Sequence, residues 1–240
     1  MKYTSQNITE VIASKVDHNF DWTYFNFHID RYIILLDFTH DFLKSHSENS
    51  SIQVLDVGPS FQTVLLRHFY PEITIDTLGF NHTQNNLRDS ERHIHKDLNL
   101  TLENPNPEVE NQYDLIFCCE VMEHIYTNPL HMLNFLRRML NPKGTLYLQT
   151  PNAVAIHKRI KMLFGRNPFP KLEDNRQGHF REYTGREVKD LLTRSNFYCT
   201  SHQFRNHFGL NANIWHRCFK KLNFLLPKTL RDGMTILAKK

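Results

Sequence analysis

Apolar and polar residues recur with two different periods along the chain, and these periods predict its helices and strands. Residues 1–20 are polar and irregular, so no regular element is predicted there. Between Trp22 and Leu43, apolar side chains recur three and four positions apart, which indicates one or two amphipathic helices. Beyond residue 51, short apolar runs alternate with amphipathic stretches as far as the C-terminus.

The short apolar runs predict strands, and the stretches between them predict helices. Strands are predicted at 52–57, 73–78, 93–95, 113–119, 145–150, 197–202 and 234–238. Helices are predicted at 61–69, 82–89, 128–140, 153–164, 184–195 and 211–226. Because strands alternate with helices, the pattern predicts an α/β fold, with a mostly parallel sheet covered by helices on both faces.

Composition narrows the class of protein. A chain of 240 residues, 40% hydrophobic, can bury a core without disulfides or metals. Its net charge of +4 is too mild to indicate a nucleic-acid-binding protein. Four cysteines without a C-x-x-C pattern give neither a zinc signature nor a disulfide framework, so we expect a reducing, cytoplasmic compartment. We expect neither a signal peptide nor a membrane span, because the apolar runs are short.

The end of the first predicted strand is a candidate ligand-binding loop. Ligands of open α/β sheets bind at the carboxyl ends of the strands, and this strand ends in Asp56-Val57-Gly58-Pro59-Ser60. A glycine there allows a ligand to approach the backbone, and the following helix offers amide donors. The loop lacks the G-x-G-x-x-G pattern of dinucleotide sites, which argues against a nicotinamide-dependent oxidoreductase.

Three further motifs follow in order: YDLIFCCEVMEH at 113–124, FLRRMLNPKGTLYLQTPN at 135–152 and GHFREYT at 178–184. With the VLDVGPS loop, they resemble the class I S-adenosylmethionine-dependent methyltransferases over roughly residues 50–200 and the last strand. The resemblance implies a doubly wound, Rossmann-like sheet of seven strands and S-adenosylmethionine as cofactor. It also implies one methyltransferase domain over 1–240. A helical cap would occupy 1–50, the cofactor-binding core 51–152, and the substrate lid and last strands 153–240.

The same resemblance assigns cofactor-binding residues. The loop after the first strand would hold the methionine end of the cofactor, and Asp97 would meet the adenine amino group unless it only caps a turn. The second strand lacks the expected ribose-binding acid, since Asp76 comes too early and Phe80 or Asn81 takes that place. The implied cofactor-binding set is Asp56, Gly58, Pro59, Ser60, Asn81, Asp97, Leu98 and Glu120.

A second group of residues predicts either a metal site or a catalytic base. Glu120, Glu123 and His124 would share one face if this segment is a helical turn. With His179 they resemble the Mg²⁺ ligands of small-RNA 3′-terminal ribose methyltransferases, which implies a site for Mg²⁺ or Mn²⁺. Without a metal, these carboxylates would cap the turn and order the loop, and His124 or His179 would act as the catalytic base.

The sequence indicates only the chemical class of the molecule that accepts the methyl group. The basic stretch 153–171 predicts a lid that suits an acidic or phosphorylated substrate or an anionic membrane surface, unless it is a solvated helix face. Tyr24, His28 and Arg31 are placed to close over the cofactor. A likeness to bacterial glycan methyltransferases favours O-methylation of a hydroxyl on a sugar or other small molecule. The alternatives are a metal-assisted RNA ribose or catechol O-methyltransferase and a non-catalytic scaffold; the sequence does not define an oligomeric state.

Overall fold

The computed structural model describes residues 3–15, 21–46, 52–80, 87–169, 178–208 and 227–240. Its helices are α1 (Ser5–Ala13), α2 (Trp22–Ser45), α3 (Phe61–Phe69), α4 (Pro129–Met139), α5 (Ile156–Leu163) and α6 (Gly185–Arg194). Its strands are β1 (Gln53–Val57), β2 (Thr74–Gly79), β3 (His93–His95), β4 (Tyr113–Cys119), β5 (Leu140–Pro151), β6 (Tyr198–Arg205) and β7 (Gly233–Lys239). None of the described helices is long and apolar enough to cross a membrane.

The strands form one sheet of order β3-β2-β1-β4-β5-β7-β6. Strands β1 to β5 are parallel, and β7 runs antiparallel between β5 and β6. The predicted mostly parallel, seven-stranded sheet is thereby confirmed. The strand order reverses between β1 and β4, whose carboxyl ends therefore open a crevice for a ligand.

Helices cover both faces of the sheet, as predicted, because the strands are apolar on both sides. On one face, α4 and α6 bury residues such as Leu133 and Val188 against the sheet. On the other face, α1, α2 and α3 bury residues such as Ile12, Leu35 and Leu65. The cysteines of β4, Cys118 and Cys119, are buried thiols, as expected from their apolar run.

The expectation that residues 1–20 are irregular was wrong for Ser5–Ala13, which forms α1. Thr4 begins this helix with a reciprocal capping box, because its backbone N–H donates to Asn7 Oδ1 and its side chain accepts from the Asn7 N–H. Ile8 and Ile12, four residues apart, are fully buried on one side of it. Two apolar positions are too few for a clear period, and packing on α2 and α3 stabilises the helix instead.

Strand β5 is longer than predicted, since it begins at Leu140 directly after α4 and includes the expected turn residues 141–144. Lys143 takes a left-handed conformation there, and the pairing with β4 shifts register between Tyr113 and Leu115. The predicted helix at 82–89 falls largely on residues outside the described ranges, and its described part, 87–89, is not helical. The predicted helix at 211–226 lies entirely outside them.

Candidate active site

The loop after β1 brings its backbone against the neighbouring loop after β4. Gly58 has φ +70°, and a Cβ there would lie 2.9 Å from Val121 Cγ2. Its N–H donates to Leu78 O at 2.8 Å, which ties the loop to β2. Only glycine adopts this positive φ without strain and leaves room for Val121. This explains why the motif keeps a glycine at this one position.

Asp56 lies beneath this loop and orders it. Its carboxylate is fully buried and accepts hydrogen bonds from Gln62 Nε2 at 2.6 Å and Thr63 Oγ1 at 2.5 Å. Thr63 Oγ1 in turn accepts from the backbone N–H of Ser60 at 3.0 Å. Burial raises the pKa of Asp56 to about 6, against the opposing effect of these hydrogen bonds. Both oxygens of Asp56 are therefore engaged within the protein, under the loop rather than in its cavity.

A cavity of about 220 Å³ opens at the carboxyl ends of β1 and β2. Among the predicted cofactor-binding residues, Gly58, Pro59, Asp97 and Leu98 line it, and His124 also lines it. Asp97 also caps the 3-10 turn Leu98–Thr101, since its Oδ1 accepts from the backbone N–H and the side chain of Asn99. Asp97 therefore caps the turn and also lines the cavity; its contact with the cofactor stays a prediction.

The second strand does not supply an acid to this cavity. Asp76 is buried in β2, where its carboxylate pairs with Arg92 Nε at 2.8 Å and accepts from Tyr113 Oη at 2.7 Å. It therefore belongs to the fold, as its early position in the strand indicated. Phe80, which is 60% exposed, lines the cavity at the end of β2, and Asn81 lies outside the described residues.

Two opposite charges, those of Arg31 on α2 and Glu120 after β4, act on each other without a direct ion pair. Glu120 is held in a left-handed conformation with φ +56°, and its Oε1 has no hydrogen-bond partner among the described residues. Arg31, 1% exposed, donates from Nη1 to Gln62 Oε1 at 3.1 Å, while its Nε has no partner in the described part of the chain. Burial raises the pKa of Glu120, and the charge of Arg31 opposes that rise.

Next to Glu120, three potential ligands of a cation converge. The ligand atoms of Glu123, His124 and His179 all lie within 4.8 Å of one another. Glu120 is not part of this group, because Met122–His124 is a short 3-10 turn and Glu120 precedes it, rather than a helical turn that includes all three residues. Of the four expected metal ligands, the structure therefore brings three together.

Glu123 is completely buried at the centre of this group. Its Oε2 accepts from Thr150 Oγ1 at 3.1 Å, and its Oε1 has no partner among the described residues. Burial, and then the charge of Glu120, raise the pKa of Glu123 well above its ordinary value. Two buried carboxyl groups this close cannot both carry a charge unless a cation compensates them.

Both histidines of the group have one ring nitrogen engaged and the other available. Nδ1 of His124 lies 3.2 Å from Gly178 O, and Nδ1 of His179 lies 3.2 Å from Glu182 Oε1. A carbonyl or carboxylate oxygen only accepts, so each Nδ1 carries a hydrogen, and in the neutral form of each ring the lone pair is on Nε2. Burial and the neighbouring His179 also lower the pKa of His124, which favours its neutral form.

Sequence reasoning assigned no chemistry to the residues behind His179. Glu182 was expected only to order the local fold, and Lys158 was one of several basic residues in a predicted lid. In the structure, Lys158 is buried and pairs with Glu182, which in turn accepts from His179. Burial opposes the charged form of Glu182, but the bond from His179 and the charge of Lys158 outweigh it and lower its pKa. Helical spacing alone did not distinguish Lys158 from its solvated neighbours.

Tyr24 and His28, which were expected to close over the cofactor from α2, interact electrostatically with Glu120, Glu123 and His179. His28 is buried, with its ring 4.4 Å from that of Tyr24, and Arg31 is one helical turn further on. Burial, followed by the charge of Arg31, lowers the pKa of His28 to about 3, so this ring is neutral near neutral pH. The helix therefore contributes one permanent positive charge, that of Arg31, to this side of the site.

The sheet order, the glycine loop after β1 and the acidic turn after β4 together define a class I S-adenosylmethionine-dependent methyltransferase. The sequence profile of the methyltransferase domain family matches residues 27–202, and the chain belongs to that family.

Comparisons with individual proteins agree with this class. The chain is 32% identical, over 132 residues, to the ubiquinone biosynthesis O-methyltransferases of two strains of Rickettsia bellii, a match that covers 50% of each chain. It therefore spans about half the length of these curated relatives. Its fold is similar to that of a SAM-dependent methyltransferase from Aquifex aeolicus, with a TM-score of 0.53, 13% identity and 99% of each chain covered. An Archaeoglobus fulgidus enzyme described in the same words gives the same TM-score and identity, with 92% of this chain and 100% of that one covered.

Proposed function

We propose that this protein transfers the methyl group of S-adenosylmethionine to a hydroxyl oxygen of a small molecule or glycan. One observation carries the proposal: His124 lines the cavity at the end of β1 and also belongs to the group formed with Glu123 and His179. A cofactor in that cavity and an acceptor beside the group would be neighbours. Proximity of this kind supplies much of the rate of a methyl transfer, which is an in-line displacement.

The residues around the cavity match the parts of the cofactor. Gly58 and Pro59 let its methionine end approach the backbone, and Asp97 and Leu98 line the region suited to the adenosine. Arg31 and Glu120, with their unsatisfied buried atoms, match the carboxylate and the ammonium of that methionine end. When bound, the cofactor supplies an electrophilic methyl carbon.

An alcohol acceptor must lose its proton, and the two histidines are arranged to accept it. Each Nδ1 is held by an acceptor, so each Nε2 can take a proton from a hydroxyl at hydrogen-bond distance. Lys158 and Glu182 hold His179 in this orientation from behind. The acceptor hydroxyl would then lie between the ring nitrogens and the cavity.

The same three residues are suited to a divalent cation, although the sequence alone left metal and metal-free chemistry open. A carboxylate with two neutral imidazoles suits Mn²⁺, Fe²⁺ or Zn²⁺, and Mg²⁺ if further oxygen ligands complete the shell. Metal-binding histidines usually donate their other N–H to a carbonyl or carboxylate, as both rings do here. A cation there would lower the pKa of an acceptor hydroxyl and compensate the charges of Glu120 and Glu123.

A hydroxyl acceptor is also supported by the Rickettsia relatives, which are named as O-methyltransferases of ubiquinone biosynthesis. Their similarity covers only half of this chain, so the identity of the acceptor rests on the site. A pair of half-buried histidines next to a carboxylate suits a hydroxyl with a second oxygen beside it, as in a sugar or a catechol.

Calorimetric titration of the full chain with S-adenosylmethionine and with its demethylated product tests whether the protein binds this cofactor. We expect micromolar binding, and a loss of at least about tenfold for Arg31→Met, which removes the charge opposite the methionine carboxylate. Absence of binding to a well-folded protein would refute the enzyme assignment and favour a non-catalytic scaffold.

The metal is tested separately, by titration of Mn²⁺ and Mg²⁺ into the protein without cofactor, followed by thermal unfolding. We expect Mn²⁺ to raise the melting temperature, and His179→Gln to remove that rise. His131→Gln, on α4 and outside the cluster, serves as the matched control. If neither cation changes the melting temperature, the histidines act without metal, and His179→Gln should then lower kcat for the acceptor identified by screening.

A further inference from the structure

Helix α5, which follows β5 beside the site, turns a charged residue to the protein and apolar residues to the solvent. A surface helix normally turns its apolar face to the core. Lys158 is the only residue within α5 that is buried, and its Nζ donates to Asn152 O at 3.0 Å and pairs with Glu182. The apolar side chains of Ile160, Met162 and Leu163 are exposed instead, and that of Ile156 is half-buried.

The outward side of α5 forms an apolar ridge. Ile160, Leu163 and Phe164 are three and four positions apart and so lie on one side of the helix. Their exposed fractions are 36%, 81% and 73%, which for Leu163 and Phe164 is close to full exposure. Gly165, in a left-handed conformation, ends the helix directly after the ridge, so the two most exposed side chains stand at its tip.

The residues next to this ridge in the sequence are positively charged. Arg159, Lys161 and Arg166 are all exposed, and the sequence has no aspartate or glutamate between residues 124 and 172. A second copy of the chain would bring these like charges together, which disfavours self-association through the ridge. An anionic surface would pair with the charges while it covers the apolar side chains.

We propose that α5 binds the surface of an anionic lipid bilayer. Leu163 and Phe164 would enter the boundary between headgroups and acyl chains, and Arg159, Lys161 and Arg166 would contact lipid phosphates. Because Lys158 fixes the opposite side of α5 to Glu182, this contact would place the candidate active site at the membrane surface. The proposal does not depend on the identity of the acceptor.

Sedimentation of the full chain with vesicles tests it directly. We expect binding to phosphatidylcholine vesicles that contain phosphatidylglycerol, weaker binding to phosphatidylcholine alone, and loss of binding at high salt. The double variant Leu163→Ser/Phe164→Ser should weaken binding by at least about tenfold, because it removes two side chains that would leave water. Arg159→Gln/Lys161→Gln should weaken binding by about tenfold on the anionic vesicles alone.

Tyr198→Ser is the matched control. Tyr198 is 74% exposed but lies at the start of β6, opposite Lys239 of β7, which in turn pairs with Thr145 of β5. Helix α5 instead follows the last residue of β5, Pro151. This variant should bind vesicles like the unmodified protein. Calorimetric titration of each variant with S-adenosylmethionine shows that it is folded and separates failure of this proposal from failure of the proposed function.

Two results would overturn the proposal. One is vesicle binding that is absent, or unchanged in Leu163→Ser/Phe164→Ser. The other is a dimer in analytical ultracentrifugation that the same double variant dissociates, because the ridge would then be covered by a second copy of the chain.

Discussion

Gly58 offers the sharpest test of the cofactor loop, because the chain contains a second glycine with nearly the same backbone. Gly58 has φ +70° and Gly165 has φ +66°. An alanine in this region costs about 1–2 kcal/mol in backbone strain at either position. At Gly165 nothing lies within 4 Å of the added Cβ, whereas at Gly58 it would lie 2.9 Å from Val121 Cγ2. That overlap should add about 1–3 kcal/mol or displace the loop.

We therefore expect Gly165→Ala to lower the free energy of unfolding by about 1–2 kcal/mol and to leave cofactor affinity unchanged. Gly58→Ala should lower the free energy of unfolding by about 2–5 kcal/mol and weaken cofactor binding by at least about tenfold. Urea denaturation gives the first quantity and calorimetric titration with S-adenosylmethionine the second. If Gly58→Ala binds the cofactor as tightly as Gly165→Ala does, the cofactor does not contact this loop as we infer.

Three further predictions concern the fold. Thr4→Ala should cost about 1 kcal/mol in urea denaturation, because it removes the N-cap of α1; an unchanged midpoint would show that the cap contributes nothing. Leu133→Ala, fully buried on α4, should cost about 2–5 kcal/mol, whereas Leu100→Ala, 46% exposed, should stay within about 0.5 kcal/mol; equal losses would contradict the placement of the core. Burial raises the pKa of Asp232 from 3.8 to about 7, so the stability that this carboxyl contributes is complete below pH 3.8 and is lost as the pH rises to about 7. The stability of the unmodified protein relative to Asp232→Asn should therefore fall across that window, and a constant difference in urea denaturation would refute the assignment.

Apolar periodicity and strand-end motifs in the sequence sufficed for the sheet and for much of the cofactor cavity. Strand β4 was predicted with the bounds that the structure has. A continuous apolar run bounded by polar residues predicts a buried strand where strands and helices alternate along the chain. The position of Gly58 followed from the rule that ligands bind at strand ends, whereas that of Asp97 followed from the resemblance to the family. The sequence also indicated that Asp76 lies within β2 and not at its end, because further residues of the strand follow it.

The features that the sequence did not predict depend on contacts between distant segments of the chain. Nothing local distinguishes Lys158 from Lys161, yet one is buried against Glu182 and the other faces solvent, because the direction of α5 is fixed by the end of β5. Helix α1 forms because α2 and α3 cover its two isoleucines.

The sequence by itself therefore determined the order of elements, the class of fold and the residues available for chemistry, since these depend on local period and on residue type. Only the tertiary structure decided which of those residues meet. It joined His124 and His179 across 54 intervening positions, through the hydrogen bond of His124 with Gly178, and placed Glu120 next to Glu123, under the influence of the charge of Arg31. It also turned the apolar side of α5 outward. Long-range packing sets such contacts, and no local pattern encodes them.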